Sequence, residues 1–310
     1  MIGIQYISAY LPKGSIDNAL QAKGFDADED FIRHKIGMLQ LCRKADTEQT
    51  SDMAVQAVLK LQQEHGVDLS RTECLVLVTQ NPDGHGLPHT SAVVHHRLNL
   101  PSACAVFDIS LGCSGYVQAL SVAKAFMQSQ NMRHGLLVTA DPYSKIINPL
   151  DRDTAMLFGD GASATWLSED GDWQIGAADF GIQSQQYDAL QTSADGYLFM
   201  NGRAVFTFAA TQVPASVKRV LEKAQLGMAD LDQVFLHQGS RYIVDTLAKR
   251  IGAEGKTPFA ATTYGNTVSS SVPMTLAQHL QPQWRKVLLC GFGVGLSWAT
   301  CLLEKNNDHS

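Results

Sequence analysis

The sequence predicts an α/β protein built from two similar halves, and three observations carry that prediction. First, continuous apolar runs of strand length recur: CLVLVTQ (74–80), VFDI (106–109), LLVTAD (136–141), VFLHQ (234–238) and VLLCGFG (287–293). Runs without alternation are strands covered on both faces. Second, stretches of helical periodicity lie between them, and strands alternating with helices point to α/β architecture. Third, the units led by CLVLVTQNPDG and QVFLHQGS occupy corresponding places in the chain. So do LLVTADPYS, with its sequel FGDGASATWLSE, and VLLCGFGVGLSWATCLLE. The polar turn EDGDW (169–173) separates them, so the expected halves are residues 1–168 and 169–310.

Element by element, MIGIQYISAYLPKG reads as a first strand ending at Pro12 and lacks the layout of a secretory signal. TSDMAVQAVLKLQ (50–62) is an amphipathic helix capped by Thr50 or Ser51. Helical spacing recurs over 89–98, 114–130, 214–225, 241–251 and 272–280. A chain of 310 residues accommodates two fused halves with a large core. Its net charge of −6 gives no support to nucleic-acid binding. No apolar run reaches membrane-span length. The six cysteines (42, 74, 104, 113, 290 and 301) form no C-x-x-C pair or regular framework. That argues against structural zinc and secreted disulfides, and a reducing cytoplasm is the expected location.

One cysteine stands at a chemically suggestive corner. In FDISLGCSGY, Cys113 lies between an apolar strand and an apolar-striped helix, flanked by Gly112 and Gly115. The free N–H groups of a helix start favour a thiolate, and the glycines leave room for a substrate. Alone, the residue reads equally as a packed small hydrophobe. His237 ends the strand VFL, where open α/β sheets place their sites, although a lone histidine there also serves as a hydrogen-bonded loop residue. Asn266 lies in the polar turn TTYGNTVSSSVP and by itself reads as a turn asparagine. Together the three give nucleophile, base and amide donor in an order that papain-like proteases share, so order alone selects no reaction. FGDGASA lacks the Gly-Lys-Ser/Thr of a P-loop, and GFGVGLSW has no following βαβ unit. A hairpin bringing backbone amides to a reacting carbonyl explains these glycines better. The histidines at 85, 89, 95 and 96 have no acidic or thiol companions, so no metal is expected.

Four ordered motifs, DISLGCSGY, DRDTAMLFGDGASA, LHQGSRYI with YGNTVSSSVP, and GFGVGLSW, make the chain resemble the β-ketoacyl-acyl carrier protein synthase III family of thiolase-fold condensing enzymes. The likeness spans roughly residues 25–304. It implies a duplicated α-β-α-β-α five-layered fold, a homodimer and a Cys–His–Asn site. That site would condense an acyl-CoA primer with a malonyl thioester on acyl carrier protein, in fatty-acid or specialised-metabolite biosynthesis, with no cofactor beyond the thioester substrates. By the resemblance, Cys113 is the nucleophile, while His237 and Asn266 hold the malonyl thioester oxygen. The amide of Cys113, with that of Gly293 or Gly295, supports the acyl oxyanion.

Arg152 matches the arginine beside the pantetheine tunnel. Phe31 and Lys35 fall where tryptophan and arginine usually meet the nucleotide end of coenzyme A, so that end is expected to be held more weakly. Ser240 replaces an asparagine and Arg203 another amide. Leu87, near the gate that reaches a partner's acyl pocket, replaces a bulkier aromatic, which suggests a primer other than acetyl and a specialised pathway. Lys218, Arg219, Arg241, Lys249 and Arg250 form the expected basic docking face for an acidic carrier protein. Two alternatives remain: an acyltransferase of the same fold acting on an alcohol or amine, and a cysteine thioesterase.

Overall fold

The apolar runs form strands whose side chains are buried on both faces. The structure, a computed structural model, describes residues 1–306. The first half runs β1 (Gly3–Tyr10), α1 (Thr50–His65), β2 (Cys74–Val78), α2 (Thr90–Arg97), β3 (Ala105–Ile109), α3 (Gly115–Ser129), β4 (His134–Ala140) and β5 (Ala162–Ser168). The second runs β6 (Trp173–Ile182), α4 (Gly202–Ala224), β7 (Gln233–Leu236), α5 (Arg241–Ile251), α6 (Ser271–His279), β8 (Lys286–Gly293) and β9 (Ser297–Lys305).

The strands hydrogen-bond in the order β7-β8-β9-β6-β1-β5-β4-β2-β3. Outward from the centre, each half repeats one pattern. β1 and β6 each have an antiparallel partner (β5 and β9), followed by a second antiparallel strand (β4 and β8) and then a parallel one (β2 and β7). The central strands β1 and β6 of the two halves pair where Gly3 and Ile4 face Gln174 and Trp173. Parallel neighbours require crossovers, and the intervening helices supply them.

Helix α3 packs on β2 and β4 of the first half and on β6, β8 and β9 of the second, while α6 packs on β1, β5, β7 and β8. These two helices are the middle layer. Being covered on both sides, α3 buries Tyr116, Val117, Ala119, Leu120, Ala123 and Met127. Each large apolar side chain among them contributes about 1.5–3 kcal/mol. Helix α1 covers β1, β4 and β5 from outside, and α4 covers β6, β8 and β9. The result is the duplicated, thiolase-like five-layered architecture that the motifs implied.

Two elements differ from the sequence expectation: α1 is capped by Gln49, whose N–H donates to Asp52 Oδ2 at 2.7 Å, not by Thr50 or Ser51, and α4 starts earlier. Helix α4 begins at Gly202, not at Pro214, and Asn201 caps it by accepting from the Ala204 N–H at 3.0 Å. Proline suits a helix start because its missing N–H costs nothing there, which made Pro214 look like a beginning; here it lies inside the helix. Residues Phe31–Ile36 wind into a short π-helical segment, a form enriched at functional sites.

Candidate active site

Cys113 immediately precedes Ser114, the cap of α3, and is 4% exposed. Close backbone approach sets its surroundings. A Cβ on Gly293 would lie 2.7 Å from Cys113 Sγ, and one on Gly291 would lie 2.5 Å from the Cys113 carbonyl oxygen. The end of β8 can therefore pass the nucleophile only as glycine. This passage brings the Val294 amide near the sulfur, and it and the Cys113 amide both favour negative charge there. Burial nevertheless pushes the thiol up to about 12. The Val294 amide pulls downward, the charge of Asp141 pushes up further, and the Cys113 amide opposes it. The thiolate expected from the helix start is thus overturned. Desolvation without a neighbouring cation outweighs the partial charge of a helix end, and the resting nucleophile is a thiol.

His237 follows β7, and its backbone N–H donates to the Cys290 carbonyl of β8 at 2.8 Å. Burial alone lowers its ring to about 3, so the imidazole is neutral. Nδ1 lies 2.6 Å from Oγ of Ser271, the first residue of α6. That oxygen also accepts from the Gln238 N–H at 3.3 Å. A serine hydroxyl can both accept and donate, so it can accept from Gln238 while giving its own proton to Nδ1. In that arrangement the ring proton sits on Nε2, as a donor.

Asn266 presents a second donor. Its Oδ1 accepts from the Val268 N–H at 2.9 Å, leaving the side-chain NH2 for other partners. Its backbone is fixed by bonds from Asn266 N–H to Leu157 O (2.8 Å) and from Gly159 N–H to Asn266 O (3.0 Å). A Cβ on Gly159 would overlap the Tyr264 carbonyl oxygen at 1.7 Å, so the FGDG glycine exists to dock this loop. The loop is strained: Val268 has φ 54, an outlier for a β-branched residue that costs about 1–3 kcal/mol.

Cys113, His237, Asn266 and Gly293 line one cavity of about 440 Å³. Phe158, Leu190, Met200, Val205, Phe206 and Phe292 supply apolar walls. Its outer end carries the exposed Lys35, Arg152 and Arg203. There the Arg152 guanidinium lies 4.3 Å from the Phe31 ring centroid, and Lys35 Nζ lies 4.9 Å from that of Tyr242. The whole is an apolar passage leading from a cationic mouth to a buried thiol and two N–H donors.

Models of the 3-oxoacyl-[acyl-carrier-protein] synthase III family match residues 107–185, and of its C-terminal part residues 221–305. The β-ketoacyl-[acyl-carrier-protein] synthase III of Streptococcus pneumoniae (strain Hungary19A-6) is 32% identical over 97% of this chain and 98% of its own. The chain belongs to the synthase III family. Among solved structures, the synthase III of Pseudomonas aeruginosa PAO1 superposes with a TM-score of 0.91 at 30% identity, covering 99% of this chain and 98% of that one. The priming β-ketosynthase of the R1128 polyketide pathway does so at 0.89 and 27% identity, covering 99% and 97%. As a synthase III relative, this chain is an enzyme of the acyl-transferring, condensing class.

Within this synthase III chain, several candidates occupy other places than expected. Gly293 lines the cavity because the strand must pass Sγ, Gly295 is not among the lining residues, and Val294, between the two expected glycines, brings its amide near the sulfur. Leu87, expected to reach a partner's pocket, is 93% exposed and lines no part of this chain's own cavity. Ser240 lines the cavity but also caps α5, accepting from the Ile243 N–H at 3.3 Å. The five expected docking cations differ in their partners. Arg219 is committed to Asp179 through Nε–Oδ1 and Nη2–Oδ2 bonds, both 2.8 Å, and Arg250 donates to the Ala210 carbonyl at 3.0 Å. Lys218 Nζ lies 3.7 Å from Glu222, and the Arg241 guanidinium lies 4.4 Å from the Phe259 ring centroid. Lys249 is exposed. Among the described residues no group of histidines, cysteines and acids is arranged for a metal, and no helix is long and apolar enough to cross a membrane.

Sequence reasoning missed Val294 and Ser271. A backbone donor has no residue signature. The run SSSVP announced hydroxyls before a helix but not which of them meets the imidazole.

Proposed function

We propose that Cys113 stores an acyl group taken from an acyl-CoA primer, and that His237 and Asn266 stabilise the enolate formed when a malonyl thioester on acyl carrier protein loses carbon dioxide. The observation that carries this reading is the joining of a buried thiol, a neutral imidazole and a side-chain amide in one apolar cavity. In the first step the Cys113 sulfur attacks the thioester carbonyl. The S–C bond to coenzyme A breaks, and the thiol proton ends on the departing coenzyme A. The amides of Cys113 and Val294 meet the oxyanion. In the second step the malonyl carboxylate leaves as carbon dioxide, and the negative charge moves to the thioester oxygen between His237 Nε2–H and the Asn266 amide. The enolate carbon attacks the acyl carbonyl. The expelled Cys113 sulfur then takes a proton from water, one proton being consumed per turnover, which a thiol held at about 12 does readily. The apolar walls keep the departing carboxylate out of water.

At the mouth, Phe31, Lys35, Arg152 and Arg203 form the contact for the nucleotide or pantetheine end, and Arg241 and Lys249 remain as docking cations for an acidic carrier protein. No cofactor enters beyond the thioesters, and the reaction belongs in the cytoplasm. A homodimer is supported by β3, which carries Val106, Phe107 and Ile109 and has no partner on its outer edge among the described residues. The exposed Leu87 suits a contact with the second copy.

The test is intact-mass profiling of the protein with a series of acyl thioesters, followed by addition of malonyl-acyl carrier protein. Expected are an acyl adduct on Cys113, its loss on malonyl addition, and one carbon dioxide per product. Cys113→Ala should form no adduct and lose activity about 10⁴-fold or more. Acylation without carbon dioxide would favour transfer to another acceptor. Rapid adduct turnover in water alone would favour a thioesterase.

A further inference from the structure

The Val294 amide can serve as an oxyanion donor only if its distance from Cys113 is held fixed, and the two residues come from different halves of the fold. A pair of buried serines bridges them. Ser114, next to the nucleophile, has its Oγ 2.8 Å from the Oγ of Ser297, the first residue of β9. Ser297 in turn donates to the Val294 carbonyl at 2.8 Å. Each hydroxyl has one proton, so the second bond fixes the direction of the first. Ser114 donates to Ser297, and Ser297 donates to Val294. Both serines are shielded, at 1% and 7% exposure, and neither lines the cavity. A relay of this kind cannot touch substrate. What it can do is tie the residue after the nucleophile to the residue that carries the amide.

The backbone around the relay leaves little other freedom. A Cβ on Gly291 would lie 2.8 Å from Ser114 Cα, so β8 already presses on the nucleophile's turn. Beyond Gly293 the chain turns through Val294–Leu296 into β9, and Gly295 there adopts φ 130, a conformation that favours glycine. The Ser297 bond to Val294 O closes this turn from within.

We propose that Ser114 and Ser297 are positioning residues that hold the Val294 amide at the Cys113 sulfur, so that acyl transfer to the enzyme depends on a hydroxyl relay crossing the two halves. The inference rests on the acyl-cysteine reading above. Ser297 touches Val294 directly, whereas Ser114 acts through Ser297, and this order sets the expected effects.

The experiment measures single-turnover acylation of Cys113 by acyl-CoA, with kcat and KM, for Ser297→Ala, Ser114→Ala, the double variant and Ser297→Thr. Complete loss of one oxyanion donor costs about 10²–10³-fold, and a loosened donor less. Ser297→Ala should slow acylation about tenfold with KM for the primer unchanged, and Ser114→Ala about threefold. The double variant should match Ser297→Ala alone, because both changes break one relay. Ser297→Thr, which keeps the hydroxyl, should restore most of the rate, and this arm stands even if an alanine variant folds poorly. Acylation within twofold of wild type in folded Ser297→Ala would overturn the proposal. So would multiplying losses in the double variant, or a threonine variant as slow as alanine. If the unaltered protein forms no Cys113 adduct, the acyl-cysteine reading fails instead, and the two failures are thereby distinguished.

Discussion

In the first half of the fold, the turn ahead of the central helix α3 carries the thiol of Cys113; in the second, the turn ahead of α6 carries Asn266 and leads into Ser271. The same corner of a repeated topology has been given opposite chemistry. The first corner is stripped of counter-charge, so its thiol stays protonated. The second is crowded with hydroxyl and amide groups whose bonds leave N–H donors available. The nucleophile rests as an uncharged thiol, while a stabiliser of transient charge needs donors already oriented. The duplicated fold separates these demands by placing each in a different half.

The sharpest way to break this comparison is to remove the donors one at a time. His237→Ala and Asn266→Ala should each reduce carbon dioxide release about 10²–10³-fold while leaving Cys113 acylation within a fewfold of wild type. Equal loss of both steps would show that the corners are not functionally separate. A milder probe is Ser271→Ala, which frees the imidazole to place its proton on Nδ1. Loss of a partner that orients such a ring costs roughly 10–100-fold, and kcat for condensation should fall by about tenfold with KM for the malonyl substrate little changed.

Two aspartates extend the contrast to stability. Asp179 in β6 would be raised by burial, but bonds from Arg219, Trp298 and Ser216 hold it down at about 2. Its folded-state value lies below the unfolded one, so its contribution is present at neutral pH and disappears as pH falls through roughly 4 to 2. Asp179→Asn should cost about 2 kcal/mol at pH 7, discounted because Arg219 is partly exposed, with the gap closing in acid denaturation series. Asp141, after β4, is the reverse case. It accepts from the Gln80 and Asn81 N–H groups, but Oδ2 has no partner, and burial raises the group to about 7. A carboxyl raised on folding binds more protons folded than unfolded, so it lowers stability as pH climbs from about 4 to 7. Asp141→Asn should flatten that decline. Thermal melts at pH 5 and 8 would detect it, and parallel curves for variant and wild type would refute it.

The sequence made the fold and the three reactive side chains legible for a common reason. Buried strands show as unbroken apolar runs, and Cys113, His237 and Asn266 stand just after such runs or in the polar turn before a helix. The remainder was hidden because it depends on what a residue faces. Arg219 and Arg250 look like surface charges on a helix, yet one pairs with Asp179 and the other bonds the Ala210 carbonyl. The Val294 donor belongs to the backbone, which the alphabet of side chains does not record. The thiol's protonation was misjudged because the local helix start is visible in sequence, while the enclosure supplied by the other half is not.

That enclosure has a consequence for how the enzyme survives among reactive small molecules. Burial pushes its sulfur up to about 12, so at neutral pH the resting nucleophile is the uncharged thiol. Peroxides and alkylating agents attack the ionised form, so they meet an almost inert target in the unoccupied enzyme. Selectivity against such poisons comes from keeping the sulfur dormant until a bound thioester offers it a carbonyl.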